Sequence, residues 1–148
     1  MTAEDNKLAD EARIRELMDD WVTALRNKDV EAIVSGQAPD ILSFDVVNPL
    51  QYIGSDATRQ RAEEWMSSFQ GPIGLEIRDL SVTVGDGVAF ARSLNRVSVT
   101  TAAGARVNMW LRSTVCYCKI DGEWLVIHQH SSVPFDGESG KASLQLEP

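Results

Sequence analysis

Positive charge is in short supply: 14 Lys and Arg stand against 22 Asp and Glu, which leaves −8 at pH 7. Such a chain repels phosphate backbones and anionic lipid, so neither nucleic acid nor a membrane surface is expected as a partner. Long apolar runs are missing too, and the opening residues, MTAEDNKLAD, lack the apolar centre of a secretory signal, so a cytoplasmic protein is expected. Cysteine is scarce. Cys116 and Cys118 stand two apart in a strand-like stretch, where they point to one side in a geometry unsuited to a mutual disulfide, and are expected as free, buried thiols. His128 and His130 are the only histidines, and with no third ligand placed by the sequence, no metal site is expected. No nucleophile–base constellation, phosphate loop or dinucleotide fingerprint occurs. The glycines of Gly85-Asp86-Gly87 join two strands and do not open a helix, so no cofactor is expected.

What is present reads as one α+β domain over residues 1–148, with a polar tail at 136–148. At 148 residues the chain can bury a sizeable core and still enclose a cavity. Ile14, Leu17, Met18, Trp21 and Leu25 recur at helical spacing and predict a long amphipathic helix from about Ala3 to Asn27. Asp29 is placed to cap a short second helix, Val30 to Ser35, which Gly36 and Pro39 end. Ile41 to Val47 predicts a strand broken by Asn48-Pro49, with a short return from Leu50 to Ile53. Ser55 or Asp56 is placed to cap a third helix running to about Phe69, with Ala62, Trp65, Met66 and Phe69 as its apolar stripe and Gly71-Pro72 as its stop. From Glu76 onward the period changes to two. Strands at 76–84 and 88–100 lead into a long hairpin, 107–119 with 124–135, turning at Asp121-Gly122. Helices first and an antiparallel meander afterwards predict a curved sheet wrapped around the long helix, a cone whose open end is a natural pocket.

The hairpin register sorts its side chains. With Ile120-Asp121-Gly122 as a three-residue loop, Lys119 faces Glu123. One face then carries Trp110, Arg112, Thr114, Cys116, Cys118, Trp124, Val126, His128, His130 and Ser132. The other carries Leu111, Ser113, Val115, Tyr117, Leu125, Ile127, Gln129, Ser131 and Val133. Helices should cover one face and a second copy of the chain the other, giving a homodimer through the outer sheet face. A one-residue slip exchanges the faces and carries both histidines inward.

The element order, with Asp29-Val30-Glu31-Ala32-Ile33, Phe44-Asp45, Ile53-Gly54 and the ending Asp121-Gly122-x-Trp124-x₃-His128-x-His130-x-Ser132-x-Pro134, resembles the NTF2-like superfamily. Within it the chain resembles the SnoaL-like and ketosteroid-isomerase-like bacterial proteins, and more distantly the association domain of calcium/calmodulin-dependent protein kinase II. The resemblance spans residues 8 to 135 and implies a cone-shaped α+β fold. It is silent on activity, because this fold hosts isomerases, cyclases, dehydratases, hydrolases and inactive binding modules. The isomerase's general base falls on Asp45, with Asp40 as the earlier member of the pair. Its oxyanion-hole tyrosine falls on Trp21 and its second oxyanion group near Val115, so the acid pair is missing and steroid isomerisation is disfavoured.

Asp45, flanked by Phe44, Val46 and Val47, is the candidate catalytic residue: a carboxylate held in an apolar cone is suited to proton transfer. Against this stands a carboxylate turned to water or tied up at the Asn48-Pro49 turn. Trp21, Tyr52, Trp65, Tyr117, Gln129 and Ser131 are the candidate substrate-binding walls, with Phe90 and Met109 as further candidates; large aromatics with a few polar tips suit a small apolar or aromatic ligand. Arg112, His128 and His130 are expected in a polar network on the outer face. The function read from these residues is small-molecule binding, extended to cofactor-independent isomerisation, cyclisation or dehydration with Asp45 as base. The alternative is a non-catalytic ligand-binding or assembly domain.

Overall fold

A computed structural model describes residues 2–148. The first helix, α1 (Ala3–Arg26), starts at a reciprocal cap in which the Asp5 N–H donates to Thr2 Oγ1 at 3.1 Å and the Thr2 N–H to Asp5 Oδ2 at 3.0 Å. Helix α2 (Val30–Ser35) follows a cap in which the Ala32 N–H donates to Asp29 Oδ1. Then come β1 (Gln37–Phe44), β2 (Tyr52–Ile53), α3 (Ser55–Ser67), β3 (Phe69–Val84), β4 (Val88–Thr101), β5 (Arg106–Ile120) and β6 (Glu123–Ser132). These six strands form one curved sheet in the order β2-β1-β6-β5-β4-β3. All neighbours pair antiparallel except β1 and β6, which run parallel.

The inner sheet face packs on the helices in two clusters. One joins Ile14 and Met18 of α1 to Ala89, Ala91, Val115, Tyr117 and Trp124; the other joins Leu25, Met66, Ile73 and Val99. The apolar stripe of α1 feeds both. Burial of the larger aliphatic side chains among them, about 1.5–3 kcal/mol each, holds the sheet against α1.

Several boundaries differ from expectation for identifiable reasons. Strand β3 begins at Phe69, so Gly71-Pro72 lies inside a strand; proline is tolerated there because β3 is the sheet edge and the pairing is irregular between Gln70 and Gly74. A second irregularity follows at Asp79, whose φ of 57° marks a bulge. Pro39 falls within β1 and not after α2 alone, again where the pairing, here with β6, is interrupted.

The hairpin turn is also tighter than expected. Ile120 pairs with Glu123, and Asp121 and Gly122 form a two-residue turn with φ of 51° and 83°, the primed geometry that matches strand twist. Lys119 therefore faces Trp124, not Glu123. Further along, β6 carries one extra residue: Tyr117 pairs with Val126 but Cys116 with His128, leaving Ile127 as a bulge. Trp124 and Val126 consequently pack inward with Tyr117, whereas the three-residue loop would have put Trp124 and Val126 outside and Leu125 inside.

Candidate functional site

The sheet does not close tightly on the helices. A cavity of about 730 Å³ remains between the two clusters, within the range of sites for drug-sized molecules. Its walls are largely apolar: Leu17, Met18 and Trp21 from α1, Ala62, Trp65 and Met66 from α3, and Ile73, Leu75, Val97, Met109 and Leu111 from the sheet. The α3 contribution follows from helical spacing, since Thr58, Arg61, Ala62, Trp65 and Met66 share one face.

Polar groups interrupt this lining at defined points. On the inner face of the sheet, Ser43 of β1 lies opposite Gln129 of β6, and Gln129 Nε2 donates to Ser43 Oγ at 3.1 Å. Deeper in, Asn95 is 1% exposed, and its Oδ1 accepts from Ser93 Oγ at 2.7 Å. Ser113, Ser131 and Tyr52 also line the space.

At the end of β1 the chain leaves the sheet, and Asp45 lies on the cavity wall just beyond Phe44. The expected picture of a carboxylate isolated among apolar neighbours needs correcting, because α3 places Arg61 against it. Arg61 Nε donates to Asp45 Oδ2 at 3.0 Å, and the Val46 N–H donates to Oδ1 at 2.7 Å. Side-chain exposure is 27% for Asp45 and 23% for Arg61, so the pair is shielded but not sealed off. The remaining nitrogens of Arg61, Nη1 and Nη2, make no hydrogen bond to the described residues. Arg61 was not among the residues singled out from sequence. It stands four residues before Trp65, a spacing that carried the signal.

Of the proposed walls, Trp21, Tyr52, Trp65, Tyr117, Gln129 and Ser131 all border the cavity, as does Met109. Tyr117 belongs mainly to the core: it is 3% exposed, its hydroxyl donates to Met18 Sδ at 3.0 Å, and burial pushes its ionisation well above the usual phenol value. Phe90 lies on the other face, 44% exposed and paired with Cys116.

The histidines are outside the cavity. Leu42 O can only accept, so His128 Nδ1 carries the proton it shares with that carbonyl at 2.7 Å. Phe44 stands edge-on to both rings, with centroids at 4.8 Å from His128 and 5.4 Å from His130. Arg112 lies on the same outer face and donates through Nε to Ser132 Oγ. Nearby, Trp110 is flanked by the guanidinium groups of Arg78 and Arg96, and Arg96 also faces Glu76 at 3.7 Å. Cys116 and Cys118 are free thiols on this side. Among the described residues no three His, Cys, Asp or Glu side chains converge as a metal site would require, and no helix is long and apolar enough to cross a membrane.

A curved, mixed six-stranded sheet wrapped around one long and two short helices is the architecture of an NTF2-like cone. The family model of the SnoaL-like domain matches residues 14–136, and the chain belongs to that family. An NTF2-like protein of unknown function from Pseudomonas putida KT2440 is 35% identical, with a TM-score of 0.87 over 95% of this chain and 98% of that one. A protein with a cystatin-like fold from Caulobacter vibrioides is 20% identical, with a TM-score of 0.70 over 82% and 87%. A candidate scytalone dehydratase from Novosphingobium aromaticivorans DSM 12444 is 15% identical, with a TM-score of 0.81 over 98% and 99%; at this identity the likeness is one of fold. No curated protein matches the chain.

Proposed function

We propose that the chain binds a small, mostly apolar or aromatic organic molecule in the cone and moves a proton on it through Asp45. The observation that carries this reading is the Asp45–Arg61 pair on the wall of a roomy, largely apolar cavity. A carboxylate oxygen accepts more than one hydrogen bond, so Asp45 keeps lone pairs open to a substrate beside its two present donors. The reaction class is isomerisation, cyclisation or dehydration, chemistry that needs no cofactor. Support of a weaker kind comes from the fold's likeness to the candidate dehydratase. Asp45, Trp21, Tyr52, Trp65, Gln129 and Ser131 are the residues assigned to substrate, Tyr117 acting from behind as packing.

The test is Asp45→Asn on a ligand recovered by mass spectrometry from the purified protein. Turnover should be abolished while affinity stays nearly unchanged, and equal turnover would refute the assignment. A second reading, a non-catalytic binding domain, is favoured by one feature: both Asp45 oxygens already hold a protein donor. Under either reading, we place a second copy of the chain against the outer sheet face around Trp110, Arg112, His128 and His130.

A further inference from the structure

We infer that Arg61 is a substrate-contacting residue that takes the oxygen of a neutral carbonyl ligand, and that its pairing with Asp45 makes the cavity select neutral ligands over anions. This rests on the reading of the cavity as a small-molecule site.

Arg61 Nε is committed to Asp45 Oδ2, which fixes the plane of the guanidinium. Its Nη1 and Nη2 make no hydrogen bond to the described residues, and no fully buried side-chain nitrogen or oxygen is left unsatisfied, so these N–H groups are not sealed in the packing. Arg61 borders the cavity. The other cation of the lining, Arg13, is engaged with Glu16 at 3.1 Å. Arg61 is therefore the cationic donor available to an oxygen lying beside Asp45.

Charge decides which oxygen. Two cations, Arg13 and Arg61, meet three carboxylates, Asp20, Asp45 and Glu123, around a mostly apolar space. A ligand carboxylate would add a second negative charge next to Asp45, in a space only partly open to screening water. A ketone adds none. Its oxygen can accept from an Nη–H while its α-carbon lies near Asp45. When the Asp45 carboxylate takes the α-proton, the C–H electron pair becomes the C=C bond and the carbonyl π pair moves to oxygen. Negative charge has then passed from Asp45 to the enolate oxygen, both against one guanidinium, and the local sum is unchanged. As the oxygen pair re-forms C=O, the proton returns from Asp45 to the α-carbon, or to the γ-carbon where a second C=C is conjugated with the enolate, and the carboxylate is restored.

The experiment uses the full chain and three probes of similar size: naphthalene, 2-acetonaphthone and 2-naphthoate. The unaltered protein should bind the ketone at least about tenfold more tightly than the carboxylate, as expected for one hydrogen bond to a charged donor against an added like charge. Arg61→Gln should weaken the ketone by about tenfold and leave naphthalene within about twofold; Arg61→Lys, which keeps the charge, should recover part of the loss. Exchange of the ketone's methyl protons in D₂O, followed by NMR, should slow about 10²–10³-fold in Arg61→Gln, the usual loss on removing one oxyanion donor. Carboxylate binding as tight as the ketone's would overturn the inference, as would an Arg61→Gln protein that treats ketone and naphthalene alike. If naphthalene binds and either of those results appears, only the role of Arg61 falls. If none of the three probes binds the unaltered protein, the cavity reading falls with it.

Discussion

Tyr117 offers a direct way to decide whether a cavity-bordering phenol belongs to the core or to the ligand. The folded protein holds its hydroxyl in apolar surroundings, and burial raises its ionisation above the ordinary value of 10.0. The unfolded chain ionises first as the pH rises, so the contribution is fully kept below pH 10 and lost progressively above it. Each pH unit beyond that point should cost about 1.4 kcal/mol, for as long as the folded phenol stays neutral. At pH 11 this is about 1.4 kcal/mol, or about 3–6 °C in Tm for a chain of this length. Tyr117→Phe removes the titrating group and only a weak hydrogen bond to Met18 sulfur, so at pH 8 it should lie within about 1 kcal/mol of the parent. The assay is thermal or urea unfolding of both proteins at pH 8 and pH 11. The parent should lose stability relative to the phenylalanine variant across that interval. Parallel behaviour of the two would mean that the phenol ionises as freely as in the unfolded chain, and Tyr117 would then be a solvated pocket group.

Ser113→Phe should fill space at the inner face of β5, where Ser113 is buried at the cavity wall; probe binding should be lost with Tm within a few degrees, and retained naphthalene binding would show that the cavity is not the site. Trp110→Ala should lower the solution mass toward that of a monomer by light scattering, because it deletes the largest apolar side chain of the outer face; an unchanged mass removes that face from the interface.

The helices were legible because periodicity and caps agree: Ile14, Met18 and Leu25 are buried where the stripe puts them, and Asp29 caps α2 as its side chain suggests. The hairpin was legible for a subtler reason. A three-residue loop and a two-residue loop followed by one bulge shift the strand by the same parity, so His128, His130, Gln129 and Ser131 face as expected although the turn differs. Only Trp124, Leu125 and Val126, between the turn and the bulge, were assigned to the wrong sides. Arg61 escaped notice because a charge on a helix reads by default as solvated surface. Its partner lies 16 residues away, across the β1–β2 loop, and that proximity is created by tertiary packing alone. The start of β3 was hidden by Gly71-Pro72, a pair that ordinarily ends structure but here sits on an unpaired edge.

The odd residue Ile127 works as a frame-shift written in the backbone. Were the same tight turn followed by an unbroken ladder, His128 would stand opposite Val115 and His130 opposite Ser113. Two imidazoles would then look into the hollow, and Gln129 and Ser131 would look out. Sliding this single irregularity a few steps toward the C-terminus would therefore exchange an amide-and-hydroxyl interior for a pair of titratable rings without altering a letter on either strand. A scaffold of this kind can change its chemical repertoire by moving a kink, with its core left intact.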